Sequence, residues 1–238
     1  MAIFKLPEHQ RILKILQSLD AQFLTDCNAL FGGGTLVSLS HGEFRVSKDI
    51  DFICPVGKNS GYRNLRNRVA ELGYSALFQD VSNLEFPREI RADQYGIRCL
   101  VIVDNSPIKL EIVAEGRILL NEPAYPEWSP VACLSSIDAF VEKLLANADR
   151  WPDDSVESRD LIDLAVMYTA ASSELLSQAI LKADQAYAVV PSLRTAILRF
   201  CERREYRERC FRSLGIAVEH QELVMHGIQL LRLRLAEH

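Results

Sequence analysis

The sequence predicts an α+β fold: a strand-bearing N-terminal part followed by an all-helical C-terminal part. Three observations predict it. FRVSKDIDFIC, residues 44–54, alternates and is rich in β-formers, so it reads as a strand. IRCLVIV (97–103) and IKLEIVA (108–114) flank Asp104-Asn105-Ser106-Pro107, which is turn chemistry for a hairpin. Beyond NEPAYPEWSP (121–130), with its three prolines, apolar residues recur at helical spacing.

The elements follow in order. PEHQRILKILQSLDAQFLTDCNAL (7–30) spaces Ile12, Ile15, Leu16, Leu19 and Phe23 as one helix, with Pro7 in its first turn. FGGGT (31–35) is a glycine turn, and TLVSLS begins a short helix at Thr35. The strand over 44–54 comes next. SGYRNLRNRVAELGY (60–74) reads as a helix closed by Gly73. Residues 74–120 read as strand-like, the hairpin being their clearest part. The prolines then set a domain boundary, giving domains 1–128 and 129–238. SSIDAFVEKLLANADR (135–150) buries Ile137, Phe140, Val141, Leu144 and Leu145 on one face. After the loop WPDDSVE (151–157), SRDLIDLAVMY (158–168) continues the pattern, and further helices run to His238.

Composition narrows the class. The apolar fraction of 48% and charged fraction of 25% are those of a globular chain with a packed core. A net charge of −5 argues against a generic polyanion binder, so any nucleic-acid contact must be a local basic patch. Six cysteines without a CxxC pair argue against zinc and disulfides, and fit buried reduced thiols. No apolar run spans a bilayer and no N-terminal stretch reads as an export signal; the expectation is a soluble cytoplasmic protein.

The chemistry concentrates in residues 31–52, FGGGTLVSLSHGEFRVSKDIDF. On a strand, Asp49 and Asp51 project together while Ile50 and Phe52 enter the core. Two such carboxylates repel unless a cation lies between them. Mg²⁺ suits them, sharing its shell between carboxylates and substrate phosphates. Gly32, Gly33 and Gly34 let the backbone approach a ligand, and the helix start at Thr35 offers free N–H groups to an anion. A phosphate cradle beside a metal clamp suits a nucleoside triphosphate bound with a divalent ion. The alternative is a solvated acidic edge beside an ordinary turn.

In this order, GGT, a spacer with Arg-x-Ser, and Asp-x-Asp resemble the signature of the DNA-polymerase-β-like nucleotidyltransferases. More narrowly, FGGGTLVSL…RVSKDIDF resembles the AbiEii-type toxins of abortive-infection and type IV toxin–antitoxin systems. The resemblance implies a nucleotidyltransferase core, a small mixed β-sheet with helices, over 1–128 and a helical domain over 129–238. It implies Gly33, Gly34 and Thr35 for the triphosphate and Asp49 and Asp51 for Mg²⁺ or Mn²⁺. Arg45 and Ser47 match the nucleotide-binding phrase; Arg45 either meets a phosphate or braces the aspartates. The family phrase often has Lys where Gly32 stands.

Such sites use a third acid on a neighbouring strand. Glu111 in IKLEIV is the candidate, as metal ligand or as the base that accepts the attacking hydroxyl's proton. The other reading makes it an exposed strand residue paired with Lys109. EKLLANADR and RDLIDL resemble a later motif of the same family, matched by Lys143, Arg150, Arg159, Asp160 and Asp163. The resemblance implies that Lys143 and Arg159 serve the nucleotide and that Asp160 acts near the reacting centre, as the base or as an orienter of Lys143 or Arg159. Asp163 is read as structural. The plainer reading is a surface network between Arg159 and Asp163.

The implied reaction is attack of an acceptor hydroxyl on the α-phosphorus of an NTP such as ATP, with release of pyrophosphate. The run RTAILRFCERREYRERCFRSL (194–214) carries Arg194, Arg199, Arg203, Arg204, Arg207, Arg209 and Arg212 with interleaved aromatics and glutamates. It is either an RNA-backbone surface or an internally paired, solvated face. The family resemblance implies RNA as acceptor, in some members the tRNA 3′ end, and a cognate antitoxin as partner. Two rivals are a small-molecule, aminoglycoside-type nucleotidyltransferase and a non-catalytic nucleotide-binding module.

Overall fold

The computed structural model describes residues 4–57 and 61–236. The chain forms two compact units, residues 1–36 with 47–135 and residues 37–46 with 136–238.

In the first unit, α1 (Pro7–Ser18) carries proline in its first turn and buries Ile12, Ile15 and Leu16. The helix expected over 7–30 is in fact two helices. The backbone becomes extended at Leu19, and the Asp20 carboxylate accepts the Phe23 N–H at 3.1 Å, capping a separate α2 (Ala21–Asp26). β1 (Leu30–Gly32) leads directly into α3 (Gly33–Ser40), which starts two residues before the expected Thr35.

A five-stranded mixed sheet carries this unit, in the order β1-β2-β5-β4-β3. β2 (Asp49–Pro55) runs antiparallel to β1 and parallel to β5 (Ser106–Glu115); β4 (Gly96–Val103) and β3 (Arg91–Ala92) complete it in antiparallel pairs. Alternation along β2 sends Ile50 and Phe52 fully into the core. The strand expected from Phe44 begins only at Asp49. Upstream, Phe44, Arg45 and Val46 belong to the helical unit, and the Val46 N–H bonds Leu214 O at 2.9 Å instead of a strand neighbour.

The hairpin is present as expected. Asp104 and Asn105 take φ of +47° and +57°, the pair of positive values that a two-residue type I′ turn requires. The stretch 73–90 holds no strand among the described residues, contrary to expectation. Gly73–Ala76 is a 3₁₀ turn, and Asp80 accepts the Ser82 N–H at 2.9 Å, a local bond that competes with strand pairing. Before it, α4 (Gly61–Leu72) ends at Gly73 with φ +59°; Ser60, its expected first residue, lies outside the described residues.

The second unit is helical: α5 (Ser136–Arg150), α6 (Arg159–Thr169), α7 (Ser173–Ala183), α8 (Val190–Glu202), α9 (Arg204–Ser213) and α10 (Val218–Ala236). α6 is buried along its whole length from Asp160 to Tyr168, so its polar residues must find partners inside. α10 packs on α6 through Gly227, where a methyl group would overlap the Ala165 carbonyl oxygen. All six cysteines are free and five are buried; burial pushes the Cys54 and Cys99 thiols up to about 12. Among the described residues, no helix is long and apolar enough to cross a membrane.

Gly227→Ala forces α10 off the α6 backbone and is expected to destabilise the protein by about 1–3 kcal/mol, read from urea denaturation midpoints.

Candidate active site

The strand-to-helix bend sets the geometry of the first unit. Gly32 lies opposite Asp51 in the β1–β2 register, and Gly33 turns the chain at φ +67°. A side chain on Gly33 would overlap the Asp51 carboxylate and come within 2.8 Å of its Cβ. The turn and the second aspartate are therefore in contact. Gly33, Gly34 and Thr35 form the first turn of α3, whose N–H groups lack intrahelical partners. Asp49 is exposed and Asp51 half-buried at the start of β2.

A chain of hydrogen bonds fixes where β2 starts. Thr35, only 1% exposed, donates its hydroxyl to Asp49 O at 2.5 Å. Its proton thus spent, Thr35 Oγ1 accepts from Ser47 Oγ at 2.7 Å. The Ser47 N–H in turn donates to Nε2 of the buried His9 at 3.2 Å. Thr35 and Ser47, expected on the nucleotide, have their hydroxyls bonded within the protein, tying α3 to the strand. His9 went unnoticed in the sequence, where one histidine among apolar helix positions signals nothing.

Glu111 lies beside Asp51 in the β2–β5 register. Both its oxygens are taken: Arg98 Nε donates to Oε1 at 2.6 Å and Lys109 Nζ to Oε2 at 2.5 Å. Burial raises the Glu111 carboxyl, but the bonds from Lys109 and Arg98 outweigh it and hold it below the usual range. The Lys109 pairing is the plainer of the two readings made from sequence; Arg98 carried no sequence signal. Asp49 and Asp51 supply two hard oxygen donors on one sheet face, a set that fits Mg²⁺ or Mn²⁺ completing its shell with phosphate oxygens. Among the described residues, no three His, Cys, Asp or Glu side chains converge as a closed metal cage.

The helical unit holds the remaining candidates. Asp163, fully buried, accepts two bonds from Arg45, Nε at 2.6 Å and Nη2 at 2.8 Å. Lys143 Nζ lies 2.6 Å from Asp163 Oδ2 and 3.1 Å from Asp160 Oδ1. Arg150 closes the chain with two bonds to Asp160 Oδ2, at 3.1 and 2.7 Å. Arg45, expected either to meet a phosphate or to brace the aspartates, is 3% exposed and forks onto Asp163. Burial raises the Asp160 carboxyl, and Lys143 and Arg150 more than reverse this, so it stays ionised well below the usual range. Arg159, half-buried at the start of α6, has no hydrogen bond or ion pair among the described residues, so the network expected with Asp163 is absent.

Two predictions follow from this network. Arg45→Ala leaves the buried Asp163 Oδ1 without its partner while Lys143 stays on Oδ2, and is expected to cost about 1–3 kcal/mol of stability in equilibrium denaturation. The depressed Asp160 carboxyl contributes stability that is present above its unfolded-state value, about pH 4, and is lost as pH falls through its folded value. Stability measured between about pH 6 and pH 2 therefore falls more steeply in the wild type than in Asp160→Asn.

The chain matches the family model described as nucleotidyl transferase AbiEii toxin, type IV TA system, over residues 14–221. Among solved structures, JHP933 from Helicobacter pylori is similar with a TM-score of 0.57 at 16% identity, covering 98% of this chain and 95% of that one. A second Helicobacter pylori protein, provisionally described as a nucleotidyltransferase, is similar with a TM-score of 0.52 at 17% identity, covering 96% and 95%. No curated protein matches the sequence. The fold is thus shared at low identity, while the family match spans most of the chain, including the glycine bend, both aspartates and the Lys143–Asp160 network: the chain belongs to the AbiEii family of nucleotidyltransferase toxins of type IV toxin–antitoxin systems.

Proposed function

We propose that the protein transfers a nucleoside monophosphate from a nucleoside triphosphate to an acceptor hydroxyl, with Asp49 and Asp51 holding the divalent ion that the reaction needs. The observation that carries this reading is the contact between the Gly33 bend and the Asp51 carboxylate. It brings a backbone able to receive phosphate within reach of ligands for the metal that accompanies phosphate. When bound, the ion would neutralise phosphate charge and polarise the reacting phosphoryl group.

The chain's own groups do the positioning. The first-turn amides of α3 receive phosphate oxygens along the positive end of the helix. Thr35, Ser47 and His9 hold Asp49 in place through the backbone. For the helical unit we keep the role that the family resemblance implies: Lys143 as a point charge for the nucleotide's phosphates, oriented by the ionised Asp160 at 3.1 Å.

RNA is the proposed acceptor, the tRNA 3′ end included, and an antitoxin is the proposed protein partner. Support for RNA comes from α8 and α9. Arg203, Arg204, Arg209 and Arg212 line a cleft of about 540 Å³. Part of the basic run is internally neutralised: Arg199 and Arg203 bind Asp154, and Arg204 binds Glu208. Arg209, stacked on the Tyr206 ring at 5.1 Å, and Arg212 form no ion pair among the described residues.

Incubation with each labelled nucleoside triphosphate and total RNA tests the assignment. Label is expected to enter RNA with the wild type and not with Asp49→Asn or Asp51→Asn, whose circular dichroism stays native. Wild-type transfer by the doubly substituted protein overturns the reading; label entering only small molecules overturns the RNA acceptor alone.

A further inference from the structure

One sheet face carries cations in a place where they endanger the proposed metal site. The β2–β5 register sets Lys109 directly beside Asp49, and Glu111 beside Asp51. In-register neighbours project to the same face, where opposite charges attract. An unrestrained Lys109 would lean on Asp49 and neutralise a carboxylate needed for a divalent ion. It instead bonds Glu111 at 2.5 Å, two residues along its own strand. Arg98, opposite Glu111 on β4, takes the other oxygen at 2.6 Å and is itself tied back to Asp93 at 3.1 Å. The Asp49 side chain stays exposed, with no hydrogen bond or ion pair among the described residues.

We propose that Glu111 is a positioning residue that holds Lys109 off Asp49, keeping that carboxylate open to the divalent ion, and that it is neither a metal ligand nor the catalytic base. This rests on the assignment of Asp49 and Asp51 as metal ligands. Three features support it together. Both Glu111 oxygens are already bonded to cations, so a metal at either one would have to compete with a bound guanidinium or ammonium. The Glu111 side chain is 16% exposed against 51% for Lys109, so the anchor is the fixed partner and the lysine the one free to swing. The cations also offset the repulsion that Glu111 would otherwise exert on Asp51 across the strand pair.

A double-mutant cycle on Mn²⁺ binding, followed by electron paramagnetic resonance with no nucleotide present, tests this. Glu111→Gln is expected to weaken Mn²⁺ binding about fivefold or more, since a released ammonium beside Asp49 competes with the ion. Lys109→Met alone is expected to change binding less than about twofold, because Lys109 is already held away. The double variant is expected to return to within about twofold of the wild type. A double variant as weak as Glu111→Gln, or effects that simply add, overturns the proposal in favour of direct ligation; unchanged binding in Glu111→Gln overturns it as well. Should Glu111→Gln fail to fold by circular dichroism, Glu111→Asp, which keeps the charge but shortens its reach, takes its place in the cycle under the same criteria. Asp51→Asn separates the two readings: if it binds Mn²⁺ as the wild type does, the carboxylate-pair assignment fails, whereas its loss of binding with no Lys109–Glu111 coupling sinks this proposal alone.

Discussion

The arrangement of the sheet unit depends on one close approach, that of the Asp51 carboxylate to the backbone of Gly33. It imposes two requirements at the same residue: φ of +67°, and no Cβ. Glycine alone meets both without strain. The approach also fixes the spacing between a helix N-terminus and an acidic pair, because β1 and α3 meet at that residue. The His9–Ser47–Thr35 hydrogen bonds then prevent the strand carrying the acids from sliding relative to the helix. Residues distant in sequence, from α1 to β2, thereby share one geometric task.

Charge is handled differently in the helical unit. There Asp163 and Asp160 alternate with Arg45, Lys143 and Arg150 inside the packing of α5 and α6, and each carboxylate oxygen has a cationic partner. Buried ion pairs of this kind contribute little net stability over apolar packing, but removing one member is costly because the survivor cannot be hydrated. Their value is positional: the forked Arg45–Asp163 bond accepts one geometry and ties residues 37–46 to α6. In the sheet unit, by contrast, Asp49 is exposed, as the proposed metal site requires.

Much of this was legible from the sequence because it follows from local periodicity. The alternation in β2, the Asp-Asn turn of the hairpin and the proline-marked change to helices placed the fold class, and the glycine–aspartate phrase carried the family. The errors come from side chains or backbone groups choosing partners that periodicity does not announce, some close in the chain and some distant. Residues 44–46 have strand composition but belong to the helical unit, held there through Arg45 and Val46. The expected long first helix breaks because Asp20 prefers to cap. That Arg45 forks onto Asp163, more than a hundred residues on, is announced by nothing in the chain. His9 and Arg98 act through tertiary register alone, which one sequence does not encode in any readable pattern.

The fate of Glu111 shows how position and role separate. Strand register puts it beside Asp51, and by position alone it would be the ligand or base that the sequence resemblance implies. Its bonding argues otherwise, since a carboxylate that accepts from both a guanidinium and an ammonium is a poor base and a poor competitor for a metal. Under the proposed role, what Glu111 contributes is what it holds, the lysine lying in register with Asp49. The residue's chemistry is thus set by its neighbours on β4 and β5, not by its place in a motif.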